Sequence, residues 1–313
     1  MFPLGQHQPF VQEVLFDNAN PSTIYAYANG LLANPLVGAW RSHDRGETWE
    51  QVISAETFDD GSTLSALFVA PSNGSVLYAL TTVGGVQRIH RSDNGGSTWV
   101  YKGSGRIMAV HPKNADYVYD VSRATLRLST NGGQSWMTAG TVADVSGTTA
   151  SVNALAISPA DAKIMIATIS SANGNAQGIY RTVNGGGFWQ RVKTGNSIGV
   201  KFSQGNPMEV ISGDCCVIGA YYSSNAGATF ASLPDDTDGY DSHPALAISR
   251  TSFDYRGTGR FLVAVRALGK GGVGQYTLSD TVWKRLPGTY TPSAVFSENP
   301  PSVKLLKGDT SQL

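Results

Sequence analysis

The chain has 313 residues, with 23 Lys and Arg against 23 Asp and Glu, so its formal net charge is zero. That balance gives no long-range attraction to nucleic acid or to an anionic membrane, and no apolar run reaches the ~18 residues that a membrane span requires. Only 15% of residues are charged, while there are 36 Gly, 13 Tyr, 11 Phe and 6 Trp, a mixture that favours many strands and tight turns over helices.

In chain order, the opening MFPLGQHQPF lacks the basic and apolar regions of a signal peptide. From Val14, VLFDNANPSTIYAYA reads as strand, Pro/Asn turn and strand. The loop NGLLANPLVG follows from Asn29, and SHDRGETW occupies Ser42 to Trp49. The same order returns with ALFVAPSNGSVLYAL from Ala66, RIHR from Arg88, and SDNGGSTW from Ser92 to Trp99. It returns again with IMAVHPKNADYVYDV from Ile107 and STNGGQSW from Ser129 to Trp136. A fourth copy has ALAISPADAKIMIAT from Ala154, GIYR from Gly178 and TVNGGGFW ending at Trp189. SSNAGATF, ending at Phe230, is the fifth; YTLSDTVW, ending at Trp283, keeps only the closing aromatic. The adjacent Cys215 and Cys216 cannot staple distant parts of the chain, and read as small apolar residues near a strand end.

The repeated eight-residue box is Ser/Thr, any, Asp/Asn, any, Gly, any, Ser/Thr, Trp/Phe, and Phe188 departs from it at the hydroxyl position. Its closing aromatics are 50, 37, 53, 41 and 53 residues apart, the period of a roughly 40–50-residue propeller blade. One unit is therefore strand A, Pro/Asn turn, strand B, variable loop, strand C, box, strand D. Within the box the Asp or Asn side chain serves an Asx-type turn. The Gly accepts a positive φ, and the aromatic anchors strand D by burying its ring. Asp44, Asn94, Asn131, Asn184 and Asn225, with Trp49, Trp99, Trp136, Trp189 and Phe230, are thus structural residues.

These segments resemble the Asp-box repeats of sialidases, xyloglucan-degrading hydrolases, sortilin-type receptors and photosystem II assembly factors, over roughly residues 11 to 306. The resemblance implies an all-β propeller of four-stranded blades, in one domain. It implies that the boxes lie at the periphery, away from the ligand face, and it suggests an extracellular or cell-surface location. Six units plus AVFSENPPSVKLL, Ala294 to Leu306, predict seven blades with the last incomplete from about residue 290. Six blades with a short tail, or a piece of a longer protein, are the alternatives. Closure removes exposed sheet edges.

In this grammar A–B turns and boxes share one face, and D–A and B–C loops share the other, where binding groups on a rigid scaffold are expected. The D–A loop SAETFDDGSTLS carries Asp59 and Asp60; TAGTVADVSGTTAS carries Asp144; LPDDTDGYDSH carries Asp235, Asp236, Asp238, Tyr240, Asp241 and His243. Arg123 and Arg266 fall at B–C positions. Tyr240, His243, Asp144, Arg123 and Arg266 are the candidate binding residues. Asp59 or Asp60 facing Asp235 or Asp241 would make a glycosidase pair, one acid protonating the leaving oxygen and the other activating water or attacking. The crowded acidic loop also suits a calcium ion held by Asp236 and Asp238; no other cofactor signature is present.

The early Arg-Ile-Pro signature of sialidases is missing, as are the second propeller of the xyloglucan hydrolases and the Cys-rich segment of sortilin-type receptors. His7, His43, His90, His111 and His243 fall at unrelated unit positions, so neither a triad nor a metal cage emerges, and His90 reads as a sheet residue. GKGGVG, from Gly269, precedes no helix and is no Walker sequence. The expectation is a noncatalytic propeller that binds a glycan or a protein, with no nucleic-acid partner and no membrane span. A glycoside hydrolase using acids from opposing loops is the competing class. Oligomeric state is not legible.

Overall fold

The computed structural model describes residues 13–34, 37–58, 61–122, 124–142, 151–171, 176–195, 197, 199–203, 205–213, 220–233, 245–246, 252–253, 260–267, 270–277 and 282–285. Every regular element among them is a β-strand, and no helix there is long and apolar enough to cross a membrane. The chain divides into two compact units, Met1–Asp120 with Arg127–Thr138, and Val121–Leu126 with Ala139–Leu313.

Five antiparallel sheets repeat one plan, with strands A, B, C and D side by side in chain order. Blade 1 is Glu13–Phe16, Ile24–Ala28, Gly38–Ser42 and Glu50–Ile53. Blade 2 is Thr63–Ala70, Asn73–Val83, Val86–Ser92 and Val100–Ser104, with Gly30–Leu31 added beside its strand A. Blade 3 is Ala109–Val110, Val118–Ser122, Thr125–Ser129 and Met137–Thr141. Blade 4 is Ser151–Ile157, Met165–Ser170, Gly178–Thr182 and Gln190–Thr194. Blade 5 is Gly199–Phe202, Val210–Gly213, Ala220–Ser223 and Ala231–Ser232.

Strand B is the apolar centre of each blade. IYAYA in blade 1 and VISG in blade 5 are buried at every position, whereas strands D begin exposed. Alternate faces feed different cores. Leu77 and Ala79 pack with Leu15, Tyr25 and Leu64, while Tyr78 and Leu80 pack with Ile107, Val110 and Val118. In the second unit Ile166 joins Val200, Phe202 and Val210. Each fully buried Leu or Ile contributes roughly 1.5–3 kcal/mol.

The boxes explain why the units are so alike. The first hydroxyl accepts from the backbone N–H of the fifth residue: Gly46 to Ser42 (2.7 Å), Gly96 to Ser92 (2.8 Å), Gly133 to Ser129 (2.8 Å), Gly186 to Thr182 (3.2 Å) and Gly227 to Ser223 (2.9 Å). That hydroxyl donates in turn to the Asp or Asn carbonyl-type oxygen, which also accepts from the backbone N–H of the seventh residue. Where the third residue is Asn, its amide donates to the seventh hydroxyl: Asn94 to Thr98, Asn131 to Ser135 and Asn225 to Thr229. Asp44 has no N–H to give, so Thr48 donates to it instead. Phe188 has no hydroxyl and is 69% exposed, leaving Asn184 bonded through its oxygen alone among these contacts.

The fourth and fifth box residues both take positive φ in every copy. At the fourth position φ is 62° at Arg45, 68° at Gly95, 69° at Gly132, 76° at Gly185 and 53° at Ala226. The fourth residue's N–H donates to the A–B turn of its own blade: Arg45 to Ser22, Gly95 to Ser75, Gly132 to Asp116, Gly185 to Lys163 and Ala226 to Met208. Box and A–B turn therefore form one end of each blade, as the repeat grammar predicts. The fifth glycine has a second reason to lack a side chain. A Cβ on Gly96 would lie 2.7 Å from Val52 Cβ, and one on Gly133 would lie 2.9 Å from Ile89 Cδ1.

Arg41 and Arg91 precede boxes and latch onto the next blade. Arg41 donates to Gly95 O (2.8 Å), and Arg91 pairs with Asp116 and donates to Tyr78 Oη (3.0 Å). Arg181 repeats the device on Ala226 O (2.8 Å). Tyr25 and Tyr78 donate to Gly74 O and Ala115 O beside these latches, and burial pushes the Tyr78 phenol up to about 12.

The expected blade count requires correction. Among the described residues the box-bearing four-stranded blade occurs five times, not six or seven. A further sheet follows, from Ala245–Leu246, Ser252–Phe253, Arg260–Ala267, Lys270–Thr277 and Val282–Arg285. It does not repeat the plan, because it has no box turn before its last strand, and an additional strand, Ser252–Phe253, pairs with Arg260–Ala267 beside Ala245–Leu246. Counting closing aromatics overcounted because Trp283 ends a segment without the hydroxyl, Asx and Gly that build the turn. The segment taken for a seventh unit lies outside the described residues.

Two predictions follow from the box. Gly96→Ala should lower stability by roughly 2–5 kcal/mol, combining a left-handed non-Gly residue with overpacking on Val52. Urea unfolding measures it, and adding Val52→Ala should recover part of the loss. The hydrogen bonds from Thr48 and Ser42 hold the Asp44 carboxyl down at about 2, against an ordinary 3.8. Its folded-state value is depressed, so its stabilisation is present above about 3.8 and is lost as pH falls through about 2. The melting temperature of the wild type should exceed that of Asp44→Asn at pH 5, and the gap should shrink steadily as pH falls towards 2.

Candidate functional site

The opposite end of each blade carries the B–C and D–A loops. Leu32 N in a B–C loop donates to Ser62 O in a D–A loop (2.8 Å), Gly105 N donates to Gln87 O (2.9 Å), and Val142 N donates to Ala124 O (2.8 Å). This is the end where ligand groups are expected.

Between strands B and C, one pairing recurs. Ala26 faces Trp40, Ala79 faces His90, Ala167 faces Tyr180 and Ser212 faces Tyr221. A small residue on B makes room for a ring on C, two positions before the box. In blade 3 the residue two before the box is Arg127, and it bonds to Asp120 on strand B. A salt bridge has replaced a small–aromatic pair.

Asp120 is only 2% exposed, and both its oxygens are engaged. Arg106, from the D–A loop ahead of blade 3, donates through Nε to Oδ1 at 3.0 Å, and Arg127 donates to Oδ2. The arginine side chains are 40% and 35% exposed. Arg127 lies over the Trp136 ring, 5.4 Å from its centre. A buried carboxylate is costly unless fully paired, and here two guanidinium groups pair it. Held this way, both oxygens of Asp120 are occupied by guanidinium donors. The cluster is rich in donors, not acceptors.

Two of those donors lack acceptors. Arg127 Nε and Trp136 Nε1 are both buried without a hydrogen-bond partner. The other box tryptophans differ: Trp49 and Trp189 donate to Gly46 O (2.8 Å) and Gly186 O (3.0 Å), and Trp99 donates to Val52 O (3.0 Å).

A cleft of about 540 Å³ lies beside Arg41, Glu50, Val52, Thr57, Ser97 and Trp99, on the box side. Its one carboxylate is committed, since Glu50 takes Arg41 at 2.8 Å and His43 at 3.5 Å. His90 is a sheet residue as expected, buried with Thr81 Oγ1 at 3.1 Å and its ring 4.1 Å from Phe58. Phe58 also packs on Trp99, at 5.8 Å, and against the core of the first unit.

Of the sequence-derived candidates, Asp59, Asp60, Arg123, Asp144, Asp235, Asp236, Asp238, Tyr240, Asp241 and His243 lie outside the described residues. Arg266 lies in a strand, opposite Ala245 and Gly271. Among the described residues no group of three His, Cys, Asp or Glu side chains converges to hold a metal. Sequence reasoning missed Asp120, Arg106 and Arg127. The signal was present: in the aligned units, Arg127 stands where Trp40, His90, Tyr180 and Tyr221 stand.

No protein-family profile matches the chain, and no curated protein matches it. Solved structures match its fold. The GH74 enzyme of Niastella koreensis superposes with a TM-score of 0.64 at 16% identity, over 89% of this chain and 45% of that one. The chain thus spans about half the length of that enzyme. YCF48 from Cyanidioschyzon merolae gives 0.64 at 18% identity, over 93% and 89%. An α-l-arabinofuranosidase from Fusarium graminearum, in complex with an iminosugar inhibitor, gives 0.54 at 12% identity, over 87% and 94%. The fold is a β-propeller, shared with these enzymes and with YCF48.

Asp120→Asn should destabilise the protein by about 2–4 kcal/mol. That is below the ~3–5 kcal/mol of a fully buried pair because both arginines are partly solvent-screened. Asp120→Ala combined with Arg127→Tyr, the pairing used in blade 4, should restore most of the loss in chemical denaturation.

Proposed function

We propose that this chain is a noncatalytic glycan-recognition propeller of the Asp-box class, with its ligand surface at the D–A/B–C end of its blades. The observation that carries the reading is the Arg106–Asp120–Arg127 cluster. It interrupts the blade repeat in mid-sheet, where Arg106 from a D–A loop reaches Asp120 on strand B beside Arg127 on strand C, and it is rich in hydrogen-bond donors. Departures from a repeat that cost stability are expected where function is placed. The five box geometries support the Asp-box assignment, and the likeness to YCF48 over nearly all of both chains supports a single propeller as a sufficient unit. The likeness to two glycoside-cleaving folds supports a glycan over a protein ligand. The acidic loop, with a calcium ion at Asp236 and Asp238, belongs to the same proposed surface, and the class supports an extracellular or cell-surface location.

The second reading is a glycoside hydrolase, favoured by the arabinofuranosidase likeness, which covers most of both chains. Its acids would be Asp59 or Asp60 against Asp235 or Asp241. A glycan panel scored for both binding and reducing-sugar release decides between them. Binding without turnover is the expected result. Turnover that disappears in a folded Asp235/Asp236/Asp238/Asp241→Asn variant would establish the hydrolase. Binding to proteins alone would replace the glycan.

A further inference from the structure

We propose that the cleft between strand D of blade 1 and the box of blade 2 is a binding site for a neutral saccharide, separate from the loop-end surface proposed above. Its volume, about 540 Å³, falls in the ~300–1,000 Å³ range of small-ligand sites. It opens to solvent, since Glu50, Gln51, Ser97 and Thr98 line it and are exposed. Its walls are fixed before any ligand arrives. Arg41 ties the two blades together, donating to Glu50 Oε1 through Nε (2.8 Å) and to Gly95 O through Nη1 (2.8 Å). Trp99 reaches across from blade 2 and donates to Val52 O (3.0 Å). Preorganised walls lower the ordering cost of binding.

The chemistry of the lining selects the ligand. Trp99 departs from the repeat: Trp49 and Trp189 donate to the carbonyl of their own fifth box residue, but Trp99 turns to the neighbouring blade. Gly96 O, the counterpart carbonyl, accepts no hydrogen bond among the described residues, and Gly96 lines the cleft. Glu50 meets Arg41 and His43 through Oε1, which leaves Oε2 as an acceptor on a side chain that is 54% exposed. Donors stand beside these acceptors. The Gln51 side-chain amide makes no hydrogen bond among the described residues. The Thr98 hydroxyl accepts from Asn94 (2.9 Å) and keeps its own hydrogen to give. Neighbouring sugar hydroxyls both donate and accept, so they match this mixture, and the apolar C–H faces of a sugar suit a wall that contains an indole. Charge narrows the choice further. Arg41 and Glu50 cancel each other, so the cleft rewards no ionised ligand, and an anionic sugar would meet the remaining Glu50 oxygen as a like charge.

The test is isothermal titration calorimetry with cello-, laminari-, manno- and xylotetraose, and with tetragalacturonate as the anionic comparison. The wild-type chain is set against Ser97→Gln, which fills the cleft with the residue that box 3 carries at the same position as Gln134. It is also set against Gln51→Ala and against the loop-end Asp235/Asp236/Asp238/Asp241→Asn variant. The expected result is that at least one neutral tetrasaccharide binds, at least tenfold more tightly than tetragalacturonate. Ser97→Gln should weaken that binding at least fivefold at an unchanged melting temperature, Gln51→Ala several-fold, and the loop-end variant not at all. Gln51→Ala provides the answer if Ser97→Gln does not fold. Binding that survives both cleft variants overturns the cleft site, and its loss in the loop-end variant then leaves the loop-end reading standing. Tighter binding of tetragalacturonate, lost in the cleft variants, overturns the neutral ligand. Binding of none of the five overturns the cleft site, and the wider glycan panel then decides the loop-end reading by itself.

Discussion

The fold depends on one hydroxyl oxygen per blade. The first residue of each box accepts the N–H of the fifth and donates to the side chain of the third. Those bonds hold two consecutive residues at positive φ, a conformation otherwise unfavourable for most residues. With the turn held, the fourth residue's N–H points at the A–B turn of the same blade. The fifth residue presents a bare Cα to the preceding side chain, as Gly96 does to Val52. Strand D then starts from an aromatic ring anchored on the sheet. A single local network thus positions a turn, a neighbouring turn and an edge strand.

The network tolerates variation only where the physics permits. Asp44 replaces Asn by reversing the direction of one hydrogen bond, because Thr48 rotates its hydroxyl to donate. Arg45 and Ala226 occupy the fourth position despite their Cβ, since a single left-handed residue is a bearable strain. Phe188 gives up one hydrogen bond and exposes a ring, a local loss that leaves the other four contacts of its box in place. The fifth position does not vary at all: Gly46, Gly96, Gly133, Gly186 and Gly227 combine positive φ with a closely placed side chain in four cases out of five.

This pattern explains what the sequence made legible. Strand order, the two ends of each blade and the structural role of the boxes all follow from short-range chemistry repeated in register. The number of blades does not follow as directly. Trp283 matches the period by its aromatic alone, while a turn requires the hydroxyl and Gly that YTLSDTVW lacks. The site was harder still. Acidic residues clustered in a loop stand out by eye, yet a run such as Asp235 to Asp241 says nothing about what faces it. Asp120 and Arg127 sit inside ordinary-looking strands, VYDVS and TLRLS, and become conspicuous only when five units are laid over one another.

The choice of a buried ion pair in blade 3 is itself an argument. Ala facing Tyr, as in blade 4, buries a ring and involves no charge desolvation. Replacing such a pair by Asp and Arg commonly gains nothing in stability and often loses several kcal/mol. The substitution also required a second arginine, from a loop, to complete the carboxylate's hydrogen bonds. It left two N–H groups without acceptors in a protein whose comparable tryptophans are otherwise satisfied. Folding alone would favour the aromatic pair found four times elsewhere. What the exchange gains is a pair of guanidinium groups, one of them brought from the D–A loop, fixed on a buried carboxylate.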